Sequence, residues 1–298
     1  MTKFFEIDFL EAGEKGSGDA ISLRYRDEGD EDFIHVVDGG YTDDGDKIVD
    51  HIRTYYGNAN YVDCVVLTHP DADHAAGLKK VLEEFDVGEL WMNRPWNHIQ
   101  ALLPLFDYKY TEVGLTQRLK KDFPFTAELE RIAVEKGITI RDAFQGARIG
   151  EFTVLAPSQE RYVQLIVDSE KTPEAERAAT IAGTIFEKVA SAVRRVAAIW
   201  GEESLKGESD GTSRENESSV IQFADLCDKK ILLTGDGGIE ALEEAYQYAI
   251  SIGIQLPGLH TFDVPHHGSR RNVSSDILDK FLGPKLLLPT DSPEFSAI

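Results

Sequence analysis

Residues 67–78 read Leu-Thr-His-Pro-Asp-Ala-Asp-His-Ala-Ala-Gly-Leu and put four possible metal ligands, His69, Asp71, Asp73 and His74, within six residues. Imidazole nitrogens and carboxylate oxygens together suit a divalent cation. Two acids and two histidines this close are costly to bury unless a cation joins them. The bland alternative is a solvated turn in which Asp71 or Asp73 caps the next helix. Two further stretches repeat the chemistry. One, 233–238, sets Asp236 in a glycine-rich turn; the other, 264–269, carries His266 and His267 beside a glycine. A lone acid in such a turn is more often a cap, but three such stretches favour one shared site. Together they hold enough donors for two ions, and an acid such as Asp236 can bridge them. Two cations ~3.5–4 Å apart can hold and ionise one water and stabilise the attacking and leaving oxygens of a displacement. No protein nucleophile is then needed. The sequence offers no GxSxG, P-loop or GxGxxG in a strand–helix setting.

The elements around these stretches must bring them together. Each follows an apolar, strand-like run, and ligands bind at the carboxyl ends of strands in open sheets. Residues 61–67 read as a buried strand, and Leu78, Val81, Leu82 and Phe85 have helical spacing. Strands at 4–10, 19–25 and 33–38, separated by tight turns, read as an antiparallel meander. A helix at 45–56 precedes the first motif. A strand at 88–93, helical character to about 121 and a helix at 128–136 follow it. Residues 138–144 and 152–156 read as a strand pair. Strands at 218–224 and 230–234, joined by a turn at 225–229, precede a helix at 239–252. A strand at 259–264, a helix at 272–281 and a strand from 285 complete the pattern. Residues 158–215 read as a helical insertion, with a long helix or helical pair at 174–200. Such an insertion can cover a site, engage a protein partner or mediate self-association.

Composition narrows the function. The chain has 298 residues and a formal net charge of −22. That charge opposes a protein that coats nucleic acid through Lys and Arg. It leaves room for a small anionic substrate held mainly by metal. Cys64 and Cys227 lie in or beside apolar runs and fit no CxxC pattern, so both read as structural thiols. The N-terminus lacks signal-peptide architecture, and no run approaches the ~18 apolar residues of a membrane span. A soluble, cytoplasmic protein without a membrane partner is the expectation. His35, His51 and His260 read as structural.

The ordered set Thr68-His69-Pro70-Asp71-Ala72-Asp73-His74, Thr234-Gly235-Asp236 and Pro265-His266-His267-Gly268-Ser269 resembles the metallo-β-lactamase fold superfamily. With the stretches 16–20, Val37-Asp38-Gly39-Gly40 and 216–220, it resembles more narrowly the ComEC-type hydrolase branch of bacterial competence DNA-uptake channels, in a free-standing form. The resemblance implies an α/β, four-layer αββα sandwich: one domain over 1–298 with the insertion at about 158–215. It implies two divalent ions, Zn2+ or Mn2+. His69 and Asp71 would help hold one and Asp73 and His74 the other, with Asp236 bridging. One of His266 and His267 would ligate while the other contacts a substrate oxyanion. Asp73, His266 and His267 are thus the candidate catalytic groups. His98, beyond a strand, is eligible as a further ligand and equally readable as an aromatic-packed histidine. Asp71 stands where the common motif has His, a feature the branch shares; it makes the site harder and admits Mn2+ beside Zn2+. The resemblance also implies one more histidine-bearing strand than the sequence contains, so a truncated C-terminus is an expectation. The implied function is metal-dependent hydrolysis of a phosphodiester in a nucleotide or nucleic acid. The alternatives are a thioester or lactone hydrolase and a metal-binding interaction subunit with weak catalysis.

Overall fold

Alternation of apolar residues in short β-branched runs yields two sheets, each with two buried faces. In the computed structural model, residues 4–12, 18–26, 31–106, 110–172, 211–269 and 271–283 are described. The first sheet has the order β1 (Phe4–Phe9), β2 (Ala20–Arg26), β3 (Asp32–Gly39), β4 (Tyr61–Val66), β5 (Asp86–Trp91) and β6 (Thr139–Arg141). Strands β1 to β3 form the expected antiparallel meander, and β3 to β6 run parallel. The second sheet contains β7 (Arg148–Ile149), β8 (Phe152–Ala156), β9 (Ile221–Leu226), β10 (Lys229–Leu233) and β11 (Thr261–Phe262), with order β11-β10-β9-β8-β7. Only β10 and β11 pair in parallel there.

The period-two pattern sorts side chains between layers. Val37, Cys64 and Val66 of the first sheet meet Phe152, Val154, Ala224 and Leu233 of the second in the inter-sheet core. Ile34, Val36 and Leu90 point the other way, onto helices α1 (Asp44–Tyr55), α3 (Leu78–Glu84) and Pro124–Lys136. Leu155, Phe223 and Leu232 pack on the helices Ile239–Ser251 and Ser275–Leu282. Helix, sheet, sheet, helix is the four-layer αββα sandwich that the resemblance implies. Each large apolar side chain fully buried in these layers contributes about 1.5–3 kcal/mol.

Three local expectations need correction. The strand pair at 138–144 and 152–156 does not form: β6 joins the first sheet, while β8 pairs with β7 in the second. The turn joining β9 and β10 is tighter than 225–229. Cys227 and Asp228 take φ of +53° and +60°, the two left-handed residues of a tight hairpin. The strand at 259–264 shrinks to two residues, Thr261–Phe262, and a helical turn, Pro265–Gly268, follows after Asp263 and Val264. Of the stretch 158–215, the helix Gln159–Asp168 adds Tyr162, Val163 and Ile166 to a satellite core with Trp96, Ile99 and Leu115. The helix expected at 174–200 and the strand from 285 lie outside the described residues. Among the described residues, no helix is long and apolar enough to cross a membrane.

Candidate metal centre

The first motif occupies the turn between β4 and a single helical turn, α2 (Ala72–Ala75). Gly77 lets the following helix press onto the end of β3. A Cβ there would lie 1.9 Å from the Gly39 carbonyl oxygen, which only glycine avoids. Asp71 sits at the N-cap position of α2, yet its side chain makes no capping hydrogen bond. Gly238, not Asp236, caps the helix after β10. The capping explanation for both acids therefore fails.

His69 and His74 are buried, with ring centroids 4.1 Å apart. Asp236 reaches them from the second sheet. One of its oxygens lies 3.4 Å from His74 Nε2 and the other 3.9 Å from His69 Nε2. Among the described residues, His69 Nε2, His74 Nε2 and Asp236 Oδ1 are all buried without a well-formed hydrogen bond. Three enclosed ligand atoms aimed at one another are the donor set a divalent cation requires, so these residues fit a metal. Asp71 stands at the margin, 3.9 Å from His69 Nε2. On its other side it pairs with Lys171 at 2.5 Å.

Two acids absent from the candidate ligands join the group. The ligand atoms of Asp38, His69 and His74 lie within 4.8 Å of one another, as do those of Asp19, His74 and Asp236. Asp38 ends β3 in a left-handed conformation, φ +57°, and is fully buried. It accepts hydrogen bonds from Thr68 N at 2.8 Å, Thr68 Oγ1 at 2.5 Å and His74 Nδ1 at 2.8 Å. The carboxylate accepts, so His74 carries a proton on Nδ1. The same bond orients the ring so that Nε2 faces Asp236. The sequence signals were present, Asp19 and Asp38 each ending or beginning a strand beside glycine. They marked a resemblance, but periodicity could not show where the carboxylates go.

Charge follows from this packing. Burial opposes a charge on His74, but Asp38 and Asp236 outweigh it and hold its pKa well above the ordinary histidine value. Burial and the neighbouring His74 push His69 down. Burial would raise Asp236; His74, His69 and His266 override it and hold the carboxyl well below the usual range. Asp263, at the end of β11, is pushed well above that range by burial and by Asp19.

His266 sits at the exposed rim, its Nδ1 3.6 Å from Asp236 Oδ2 and 3.0 Å from Asn216 Nδ2. The side chain of His267 lies outside the described residues. Asp73 is on α2, and among the described residues it has no hydrogen bond or ion pair with the cluster. His98 packs edge-on against Phe144 and Tyr162, ring centroids 5.3 and 5.8 Å apart, with Nδ1 3.4 Å from Gln159; among the described residues it forms no ion pair or hydrogen bond with the cluster. Burial lowers its pKa. Of the histidines read as structural, His35 lies between the sheets against Phe152, and His51 pairs with Asp8. Two open hollows, of about 320 Å³ beside Phe125 and 380 Å³ beside Phe33, carry none of the cluster.

Residues 25–152 match the metallo-beta-lactamase superfamily. The match covers the strands and turn that present His69 to His74 and supports that superfamily, whose members are largely hydrolytic enzymes. No curated protein matches the chain. A solved structure of a candidate metallo-beta-lactamase from Thermotoga maritima is 9% identical over 85% of this chain and 86% of its own, with a TM-score of 0.36. A metallo-beta-lactamase from Hirschia baltica is 11% identical over 50% and 54%, with a TM-score of 0.24. The hydrolase AbOPH, of the beta-lactamase superfamily, is 11% identical over 81% and 78%, with a TM-score of 0.36.

Proposed function

We propose that this chain is a metal-dependent hydrolase of phosphodiesters, acting on a nucleotide or a single-stranded nucleic-acid end, and a free-standing relative of the ComEC-type branch. One observation carries the metal-dependent part: His69 Nε2, His74 Nε2 and Asp236 Oδ1 converge, enclosed and without a well-formed hydrogen bond among the described residues. The phosphodiester part is supported by the motif that places Asp71 after His69 and by the stretches around Asp38 and Asn216. The net charge of −22 favours a small or single-stranded substrate over duplex.

His69, His74 and Asp236 would hold one divalent ion, with Asp71 at its margin. A second would draw on Asp19 and the other oxygen of Asp236, with Asp73 on the adjacent turn, because the single free lone pair of His74 Nε2 serves only one ion. Zn2+ and Mn2+ both suit such mixed nitrogen and oxygen donors. When bound, the cation supplies Lewis acidity, polarising an ester oxygen and acidifying water. The remaining work falls to the protein. Asp38 fixes the His74 ring. Asn216 holds His266 beside Asp236 at the rim, where the outer ring nitrogen can donate to a substrate oxygen. His267, next in the chain, is the other candidate for that role or for ligation.

Metal content and turnover of bis(4-nitrophenyl) phosphate with Mn2+ or Zn2+, set against an uncharged lactone and a thioester, test this reading. The expected result is at least about one ion per chain and metal-dependent cleavage of the phosphodiester in preference to the others. Substoichiometric metal without phosphodiester turnover overturns it.

A further inference from the structure

The candidate centre is rich in carboxylates, so an anionic substrate approaching it meets like charge from Asp19, Asp38, Asp71 and Asp236. Bound cations would offset part of that repulsion, and a basic side chain at the rim would offset more. Among the described residues, Lys171 is the one lysine or arginine paired with Asp38, Asp71 or Asp236. It lies in the turn after the helix Gln159–Asp168, beyond the part of the chain that matches the superfamily.

The turn is built to hold it. Ser169 is buried, and its hydroxyl donates to the buried Glu215 carboxylate. The backbone N–H of Lys171 donates to Ser169 Oγ at 3.0 Å. Fully buried Thr172 donates from Oγ1 to the Ser169 carbonyl at 2.8 Å. The ammonium then meets Asp71 Oδ1 at 2.5 Å, and the other Asp71 oxygen is 3.9 Å from His69 Nε2. Lys171 is therefore one carboxylate away from the enclosed ligand atoms. An ammonium has three N–H donors, and Asp71 uses one. The side chain is 40% exposed while that of His69 is 0% exposed, so the remaining donors are reachable from solvent beside a closed site.

We propose that Lys171 recognises the substrate anion, donating to a non-bridging phosphoryl oxygen at the rim of the centre. This rests on the phosphodiester reading above. Fixed anchoring of the turn means little ordering is left to be done when the anion arrives, which is where a flexible lysine would lose affinity. The competing role is purely positional, with Lys171 doing no more than steadying Asp71.

The metal-loaded chain and its K171M and K171R variants are titrated with inorganic phosphate by calorimetry. Metal content, and KM and kcat for bis(4-nitrophenyl) phosphate, are measured alongside. K171M is expected to keep the parental metal content and to bind phosphate at least ~10-fold more weakly, the worth of a charge-assisted hydrogen bond. KM rises by a similar factor. K171R, which keeps the charge, stays within about 3-fold. Unchanged phosphate affinity in K171M overturns the inference; so does loss of metal from it, which would make Lys171 a support for Asp71. A parent that binds phosphate through Lys171 but cleaves no phosphodiester refutes the proposed function and leaves this inference standing. A parent that cleaves the phosphodiester with KM indifferent to K171M does the reverse.

Discussion

Replacing Asp38 by Asn changes almost no volume and tests how the centre is assembled. Asp38 Oδ1 accepts from Thr68 N, and Oδ2 accepts from both Thr68 Oγ1 and His74 Nδ1. An asparagine that keeps its oxygen on Thr68 N must turn an NH2 toward His74 Nδ1. Two donors then face each other in a fully buried site. The neutral imidazole escapes by moving its proton to Nε2, the atom that faces Asp236. A protonated Nε2 cannot ligate, so the variant disables one arm of the centre without touching a proposed ligand. Loss of such a supporting bond costs 10- to 100-fold in metal affinity, about 1.4–2.7 kcal/mol. Hydrogen bonds to a charged group are worth about 1.5–3 kcal/mol each, so the metal-free fold should weaken by a similar amount. Chelator competition for Zn2+ gives the first quantity and urea denaturation of the metal-free protein the second. A folded Asp38→Asn protein that binds Zn2+ as tightly as the parent refutes the orienting role of Asp38.

Two further perturbations separate site from scaffold. Asp236→Ala removes the carboxylate shared by His69 and His74; metal affinity should fall at least ~10-fold and turnover with it, while circular dichroism stays native, and retention of full metal and rate would exclude Asp236 as a ligand. His35 is fully buried, neither ring nitrogen has a hydrogen-bond partner among the described residues, and burial pushes its pKa down to about 3 from 6.5. The unfolded chain binds a proton there that the folded chain refuses, so stability is lost as pH falls below 6.5 and is unaffected above it. At pH 5 the loss is about 2 kcal/mol, from ~1.36 kcal/mol for each pH interval below 6.5. His35→Leu should abolish that component and also stabilise the protein at pH 7 by on the order of 1–3 kcal/mol, because two orphaned polar atoms disappear; urea melts at pH 5 and 7 that leave the difference between variant and parent constant would refute the burial argument.

Much of the fold was legible because its signals are local. Glycine-rich or acidic turns between β-branched runs announced β1 to β3, and the helical spacing of Leu78, Val81 and Leu82 announced the helix behind the first motif. Assignment of a strand to a sheet is not local. Residues 139–141 and 152–156 look alike as sequence, yet one completes a parallel edge and the other crosses to the second sheet. The candidate site divides in the same way. His69, His74 and Asp236 could be nominated from residue type and the strand-to-turn setting. Which of Asp71 and Asp73 the turn aims at the centre depends on one peptide's direction, which pattern cannot supply. His98 had the right type beyond the right kind of strand, and its packing against Phe144 and Tyr162 is the other reading that the sequence left open. Lys171 carried no signal, since one lysine in a polar turn is common and its partner is a hundred residues away.

The candidate centre is preorganised because Thr68 ties the two sheets together at the point where the candidate ligands emerge. Its backbone N–H and hydroxyl are held by Asp38 from the first sheet. Its carbonyl accepts from Val220 N at 3.0 Å, at the entry to β9 of the second. Gly235 takes φ of +49° against it, and a Cβ at that position would lie 2.7 Å from Thr68 Oγ1. The residue before His69 and the residue before Asp236 are thus packed face to face, with no side chain tolerated between them. Thr234, one residue earlier, donates from Oγ1 to the Asp263 carbonyl at 2.7 Å and so fixes the strand end that leads to His266. Three turns distant in sequence are set by these hydrogen bonds and close contacts, before any cation arrives. A donor set held by its scaffold lets the binding free energy of the ion go into affinity and into polarising a substrate, rather than into ordering loops.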